Sequence, residues 1–301
     1  MSARRILADR RGAGLALPAL LLGAVAIGFA PIFVRISELD PTATAFHRAF
    51  WSVPALALWV ALERRRRPEA IRPLARADRI ALILGGLCFT GDLTAFHWAI
   101  VTTSVANAAL FLHFMVIFVT LGMWLLFRER PTLTFVAGLA LALAGTAILM
   151  GQSLSLSPAQ LGGDALGLLA ALFYAGYILV AGRLRARCST ETIMLWTSAW
   201  MALALAPIVW LSGEAIVPAT LEGLAILIGV ALVPHVAGQG LVVWALRHLP
   251  AAFGSVVLLL APVVSALLAW GLLGESLSGP QMLGGAVVLA GIGLARRGSA
   301  R

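Results

Sequence analysis

Six side chains are polar yet lie inside apolar runs long enough to cross a membrane: Asp92, His97, Asn107, His113, His235 and Gln239. Polar groups at that depth are costly and are mostly retained for binding or relay. Their spacing groups them. His235 and Gln239 are four apart, so they share one helix face. After Ser104, the residues Ala106, Leu110, His113 and Ile117 share a face, with Asn107, Phe111 and Phe114 beside it. The expected binding set is His113, His235, Gln239 and Asn107. Trp98, Phe111, Phe114, Tyr174 and Trp244 would form an aromatic wall for an apolar or aromatic side chain. Asp92, His113 and His235 titrate and are the candidates for carrying a proton. Plainer readings stand beside these. An intramembrane His equally well bonds a neighbouring helix, and Asp92 equally well sits protonated in a structural pair.

These residues are carried by a chain that occurs twice. The stretch Trp98–Pro131 is repeated 146 residues later, from Trp244. Trp98 falls on Trp244, Ala106 on Ala252, Trp124 on Trp270 and Glu129 on Glu275. A period this long is a duplicated half rather than a solenoid repeat. The polar positions break the symmetry. His113 pairs with Leu259, Asn107 with Phe253, His97 with Val243, Asp92 with Gly238, His235 with Phe89 and Gln239 with Leu93. An asymmetric ligand needs an asymmetric site, which places the site among them. Two stretches at corresponding mid-run places read as helix-weakening, Cys88–Asp92 and Pro234–Gly240. Pro234 removes a backbone donor and clashes with the preceding turn. Freed backbone groups there would meet polar groups of a ligand, and paired interruptions of this kind point to a transport site.

The 301 residues are 61% hydrophobic and 12% charged, with a mean hydropathy of +0.97. A soluble domain is roughly one-quarter charged, so this composition excludes one. The apolar runs do not alternate, so the expected class is all-α and polytopic. Ten spans are predicted: 13–36, 41–62, 79–101, 104–127, 132–151, 164–183, 190–212, 220–246, 250–273 and 279–296. The net charge of +9 comes from arginine alone. Arginines fill the N-terminus and the loops after spans 2, 4, 6, 8 and 10, while the other loops carry acids. That alternation requires an even count and puts both termini in the cytoplasm. It also disposes of a nucleic-acid reading. The basic start resembles a signal peptide but reads as a retained first helix. Five spans per half make the repeat inverted, with halves 1–151 and 164–301 joined by the linker 152–163. Trp124 and Trp270, near run ends, read as an interfacial belt. His47, Arg48 and Arg35 lie near outer ends and are expected to snorkel or to pair with Glu38 or Asp40. The glycines of span 10 read as close-packing positions. Cys88 and Cys188 offer neither a disulfide framework nor metal spacing.

The chain resembles the drug/metabolite transporter superfamily, of the ten-helix EamA type. The resemblance is carried by the duplicated half, Thr103–Ala109, the endings FRERPT and LGESLS, Pro262, Gly138 and Gly284. Val116 stands where the first-half copy of Pro262 is usual, which puts a hinge there in question. The resemblance implies ten helices around a central cavity lined by spans 3, 4, 8 and 9. It implies export of small metabolites, amino acids prominently, across a bacterial inner membrane by alternating access. The aromatic amino acid exporter branch is the favoured one, on the aromatic content of the cavity spans. No cofactor, metal or obligate protein partner is expected; the partners are the bilayer and a small-molecule substrate. Nucleosides, amines, drugs and nucleotide-sugars are the alternative substrates. An intramembrane aspartyl protease is the rival from another class, but it needs two carboxylates sharing a proton. Asp164 lies at a span edge, which leaves Asp92 without a partner. A channel would show rings of like charge or a carbonyl filter, and the sequence has neither.

Overall fold

The computed structural model describes residues 3–66, 74–151 and 157–299, with side chains described from residue 13 onward. Arg67, Arg72, Arg301, residues 152–156 of the linker and the side chains of Arg4, Arg5, Arg10 and Arg11 lie outside the described residues. Among the described residues nine helices are long and apolar enough to cross a membrane. They are α1 (Ala13–Ile36), α2 (Pro41–Arg66), α3 (Arg76–Thr102), α4 (Val105–Phe127) and α5 (Leu133–Met150). The second half supplies α6 (Pro158–Leu184), α7 (Thr190–Ser212), α8 (Leu221–Ala245) and α9 (Ala251–Leu273). A tenth, α10 (Gly279–Ser299), has 21 residues and ends on Arg296 and Arg297. At about 1.5 Å per residue it is roughly 30 Å long, the thickness of a bilayer core. Large apolar side chains cover the outside, Leu58, Leu125, Leu133 and Trp210 among them. In water that belt would be untenable; in lipid it is the matching surface.

The inverted repeat is visible where α5 crosses α10. A Cβ added to Gly138 would meet the backbone of Ala295, and one added to Gly284 would meet the backbone of Leu149. Likewise Gly145 approaches the backbone of Val288, and Gly291 that of Ala142. Under the 146-residue offset, Gly284 copies Gly138, Ala295 copies Leu149, Gly291 copies Gly145 and Val288 copies Ala142. Each residue touches the copy of its partner's counterpart, the mark of an isologous two-fold contact. Partner numbers rise along one helix as they fall along the other, so the helices are antiparallel and the halves inverted.

Contacts between loops fix the sense of each crossing. On the arginine-poor side, Glu38 accepts hydrogen bonds from the Thr220 hydroxyl and the Ala219 and Thr220 amides. Glu214 accepts from the Ala43 amide at 2.8 Å and lies 3.6 Å from His97. Thr103 donates to Asp164 at 2.7 Å, and Arg35 pairs with Glu275. All of these join the connections after odd-numbered helices or the helix ends beside them. On the other side Arg187 lies 3.5 Å from Asp78, and Thr132 donates to the Gly298 carbonyl at 2.9 Å. These join even-numbered connections or ends, as ten alternating crossings demand. The acid partners differ from expectation: Arg35 takes Glu275, and His47 donates to the Ile216 carbonyl at 2.6 Å. Glu38 instead caps the entry to α8. The Thr220 hydroxyl first, then the two amides, hold its carboxyl below the usual range.

Both α4 and α9 are broken at related places. Phe114 (φ −65°, ψ −6°) interrupts α4, and Leu258–Leu259 (ψ −17° and −9°) interrupts α9 one residue from the copy of Phe114. The α4 break therefore forms without the proline that Val116 replaces. His113 explains part of it, because its ring Nδ1 donates to the Ala109 carbonyl at 2.6 Å, in the turn before the break. A side chain that competes for a helical carbonyl loosens the ladder. Beyond the break, Met115–Phe127 packs against Ala251–Val257 on the arginine-rich side. The other halves, Val105–His113 and Leu260–Leu273, have no comparable packing on each other. The protein is closed between α4 and α9 on the arginine-rich side and parted on the other.

Candidate substrate site

Three helices of each half meet at mid-membrane. α3 packs along α6, α2 along α7, and α1 and α2 both lie against the middle of α8. That middle is a π-helical stretch, Ala231–Gln239, with Pro234 inside it. Pro234 cannot donate to the turn before it, and the wider coil absorbs the lost bond. The interruption expected in α8 is thus present. Its expected counterpart in α3 is absent, since α3 is regular helix from Arg76 to Thr102. Gly91 serves packing instead: a Cβ there would meet the Phe173 ring at 2.8 Å.

Phe89 and His235 are copies of one another, and their rings lie 5.4 Å apart. Counterparts that touch lie on the pseudo-two-fold axis, so this contact marks the centre of the repeat interface. Around it, Tyr177 lies 4.6 Å and Tyr174 5.7 Å from the Phe89 ring, and the two tyrosines stack at 6.1 Å. The Arg48 guanidinium lies 5.6 Å from the centre of the same Phe89 ring. His235 Nε2 is 2.8 Å from the Ser198 hydroxyl, and the Tyr174 hydroxyl donates to Gln239 Oε1 at 3.1 Å. Asp92, His235 and Gln239 are buried, while Arg48 and Tyr174 keep part of their surface accessible. Asp92 and Arg48 are within electrostatic reach of one another and of Tyr174. Four atoms of this cluster have no partner: Arg48 Nε, Asp92 Oδ1, His235 Nδ1 and Gln239 Nε2. Each costs on the order of 1–3 kcal/mol when left unpaired in a dry interior.

Of the residues expected from the sequence, the structure brings together Asp92, Tyr174, His235 and Gln239. It places the others elsewhere. Asn107 is buried and donates to Asp164 Oδ1 at 3.0 Å, beside Thr103, pinning the first turn of α6. His113, Phe111 and Phe114 are half-buried on the parted arm of α4, where the two phenyl rings meet edge-on at 5.7 Å and Phe111 packs on Gly167. Trp244 lies at the arginine-rich end of α8, 5.5 Å from the His248 ring. Trp98 is 57% exposed on the outer surface and joins no wall. Trp124 and Trp270 are also exposed near helix ends, where a belt would put them. Four members of the cluster were missed: Arg48, Phe89, Tyr177 and Ser198. Arg48 pairs with neither Glu38 nor Asp40. Counting turns from Pro41 would have placed it about 10 Å into α2, too deep to snorkel.

Among the described residues no group of three or more His, Cys, Asp or Glu could hold a metal ion. The model of the EamA-like transporter family matches twice, over residues 14–151 and 161–297. This chain belongs to the EamA-like transporter family. Two uncharacterized transporters of Archaeoglobus fulgidus are similar to it along nearly their whole length. One is 27% identical over 281 residues, covering 93% of this chain and 95% of its own. The other is 26% identical over 269 residues, covering 87% and 90%. A solved crystal structure superposes with a TM-score of 0.79 at 19% identity, over 96% of this chain and 99% of that one, a likeness of fold. As an EamA-like protein the chain is a multi-pass secondary transporter of small metabolites and not an enzyme.

Proposed function

We propose that this EamA-like transporter exports amino acids, aromatic and large apolar ones preferred, by alternating access. The observation that carries the reading is the cluster on the pseudo-two-fold axis. It combines a cation over an aromatic ring, two stacked tyrosines and unpaired polar atoms at mid-membrane depth. An amino acid has one part for each: charged groups for the polar atoms and an apolar side chain for the rings. Trp244 would line the approach from the arginine-rich side, and His113, Phe111 and Phe114 the exit along the parted arm of α4. The halves 1–151 and 164–301 rock about the axis, and the breaks at Phe114 and Leu259 serve as hinges. The arginine-rich side, with both termini, faces the cytoplasm of a bacterial inner membrane. Asp92, His113 and His235 are the groups available for proton coupling.

Counterflow in proteoliposomes tests this, with labelled phenylalanine, tryptophan, methionine and threonine, each with and without an imposed pH gradient. The reading expects saturable uptake of the first three, strongest for the aromatic pair. No uptake of any amino acid by folded protein sinks it and moves the search to nucleosides, amines and nucleotide-sugars. Transport that stays flat under the gradient removes proton coupling alone.

A further inference from the structure

The four unpaired atoms of the central cluster are not a random set. Three are donors: Arg48 Nε, the Gln239 amide nitrogen, and His235 Nδ1 in the tautomer whose Nε2 accepts the Ser198 proton. One, Asp92 Oδ1, is an acceptor. The far end of His235 is held by Ser198 and that of Gln239 by Tyr174, so neither side chain can turn away to find another partner without breaking a bond. Arg48 and Asp92 attract one another, yet no ion pair within 4 Å joins them, and each keeps an orphaned atom. A cation and an acid within electrostatic reach but not paired, each with an orphaned atom, are complementary to a ligand that carries both signs. Buried polar atoms without partners are rare enough to need an explanation of this kind.

We infer that Arg48 and Asp92 are the specificity-determining residues of a site for zwitterions. Arg48, with Gln239 and His235, receives the carboxylate. Asp92 receives the ammonium group. The phenyl or large apolar side chain lies against Phe89, Tyr174 and Tyr177. This deepens the amino-acid reading and rests on it. It assigns the discrimination to charge: an amine lacks the group for Arg48, and a carboxylic acid lacks the group for Asp92. Each half-ligand leaves one buried charge unanswered, which costs more affinity than the missing contact alone.

The test is binding to purified protein in lipid nanodiscs, using L-phenylalanine, 3-phenylpropionate and 2-phenylethylamine. Wild type is expected to bind phenylalanine at least about ten-fold more tightly than either analogue, the loss of one charge-assisted bond. Asp92→Asn is expected to erase the preference over 3-phenylpropionate, and Arg48→Gln the preference over 2-phenylethylamine. Asp92→Glu and Arg48→Lys keep the charges and are expected to keep the preferences, which serves if a neutral variant fails to fold. A merely structural pair would weaken all three ligands by one common factor, and that result overturns the inference. So does a wild type that binds phenylalanine and an analogue alike, which leaves the amino-acid reading standing. Failure to bind any of the three removes both.

Discussion

α5 and α10 are copies that kept their symmetry; α3 and α8 are copies that lost it. At the first pair, glycines at equivalent positions bring backbones together reciprocally, Gly138 with Ala295 and Gly284 with Leu149. At the second, Phe89 faces His235 across the axis, and a regular helix faces a π-helical one. The contrast assigns a job to each region. Where the halves only hold together, one solution serves twice, and drift in either copy would break a contact of both. On the proposed reading, a ligand with unlike ends is gripped at the second, where equal walls would serve badly. α4 and α9 lie between these extremes, sharing a break but not its cause.

The largest effect is expected at the symmetric crossing. Gly145→Leu and Gly291→Leu should destabilise to the same degree, by about 3 kcal/mol or more, because each drives a side chain into a backbone. Recovery of monodisperse protein and thermal unfolding would show it, with Gly293→Leu, which points into open space, as the unaffected control. Unequal losses at the two copies would break the symmetry argument.

At the asymmetric pair, His235→Phe restores the symmetry with Phe89. It should leave folding within reach and lower transport by about 100-fold, the loss of a buried hydrogen-bonding group and its partner's bond. Pro234→Ala lets the π stretch relax toward regular helix. Counterflow should fall by roughly ten-fold, with affinity and rate both altered, as expected when a helix that shapes a site is re-coiled. Unchanged transport in that variant would make the π stretch a packing accident. Trp98→Ala, by contrast, should change neither transport nor stability by more than about 0.5 kcal/mol.

The smallest effect concerns the staple from Glu38 to Thr220. The folded carboxyl is held below its usual value, so its contribution is present above the ordinary carboxylate range and is lost as pH falls through the depressed value. The thermal unfolding temperatures of wild type and Glu38→Gln should therefore differ slightly at pH 6 and converge in acid. A gap that widens in acid would contradict the sign.

Much of this was legible in the sequence. The ten crossings follow from apolar length and arginine alternation, and the inversion from five spans per half. The π stretch was announced by Pro234. Gly91 misled, because a glycine that admits a neighbouring ring and one that weakens a helix look alike until the neighbour, here Phe173, is known. The candidate cluster was half legible for a related reason. Polar residues inside apolar runs identified Asp92, His235 and Gln239, but also Asn107, which pins Asp164. Arg48 hid near a helix start, and Ser198 hid because a small hydroxyl in a membrane helix usually bonds its own backbone. Which of several intramembrane polar groups converge is a property of helix packing, and no local pattern carries it.

The most direct measurement is labelled phenylalanine counterflow for wild type, His235→Phe and His113→Ala side by side, each shown to be folded in the same liposomes. The account predicts that His235→Phe loses saturable exchange, while His113→Ala keeps at least about a tenth of it. Wild-type exchange by His235→Phe would contradict a substrate site on the pseudo-two-fold axis.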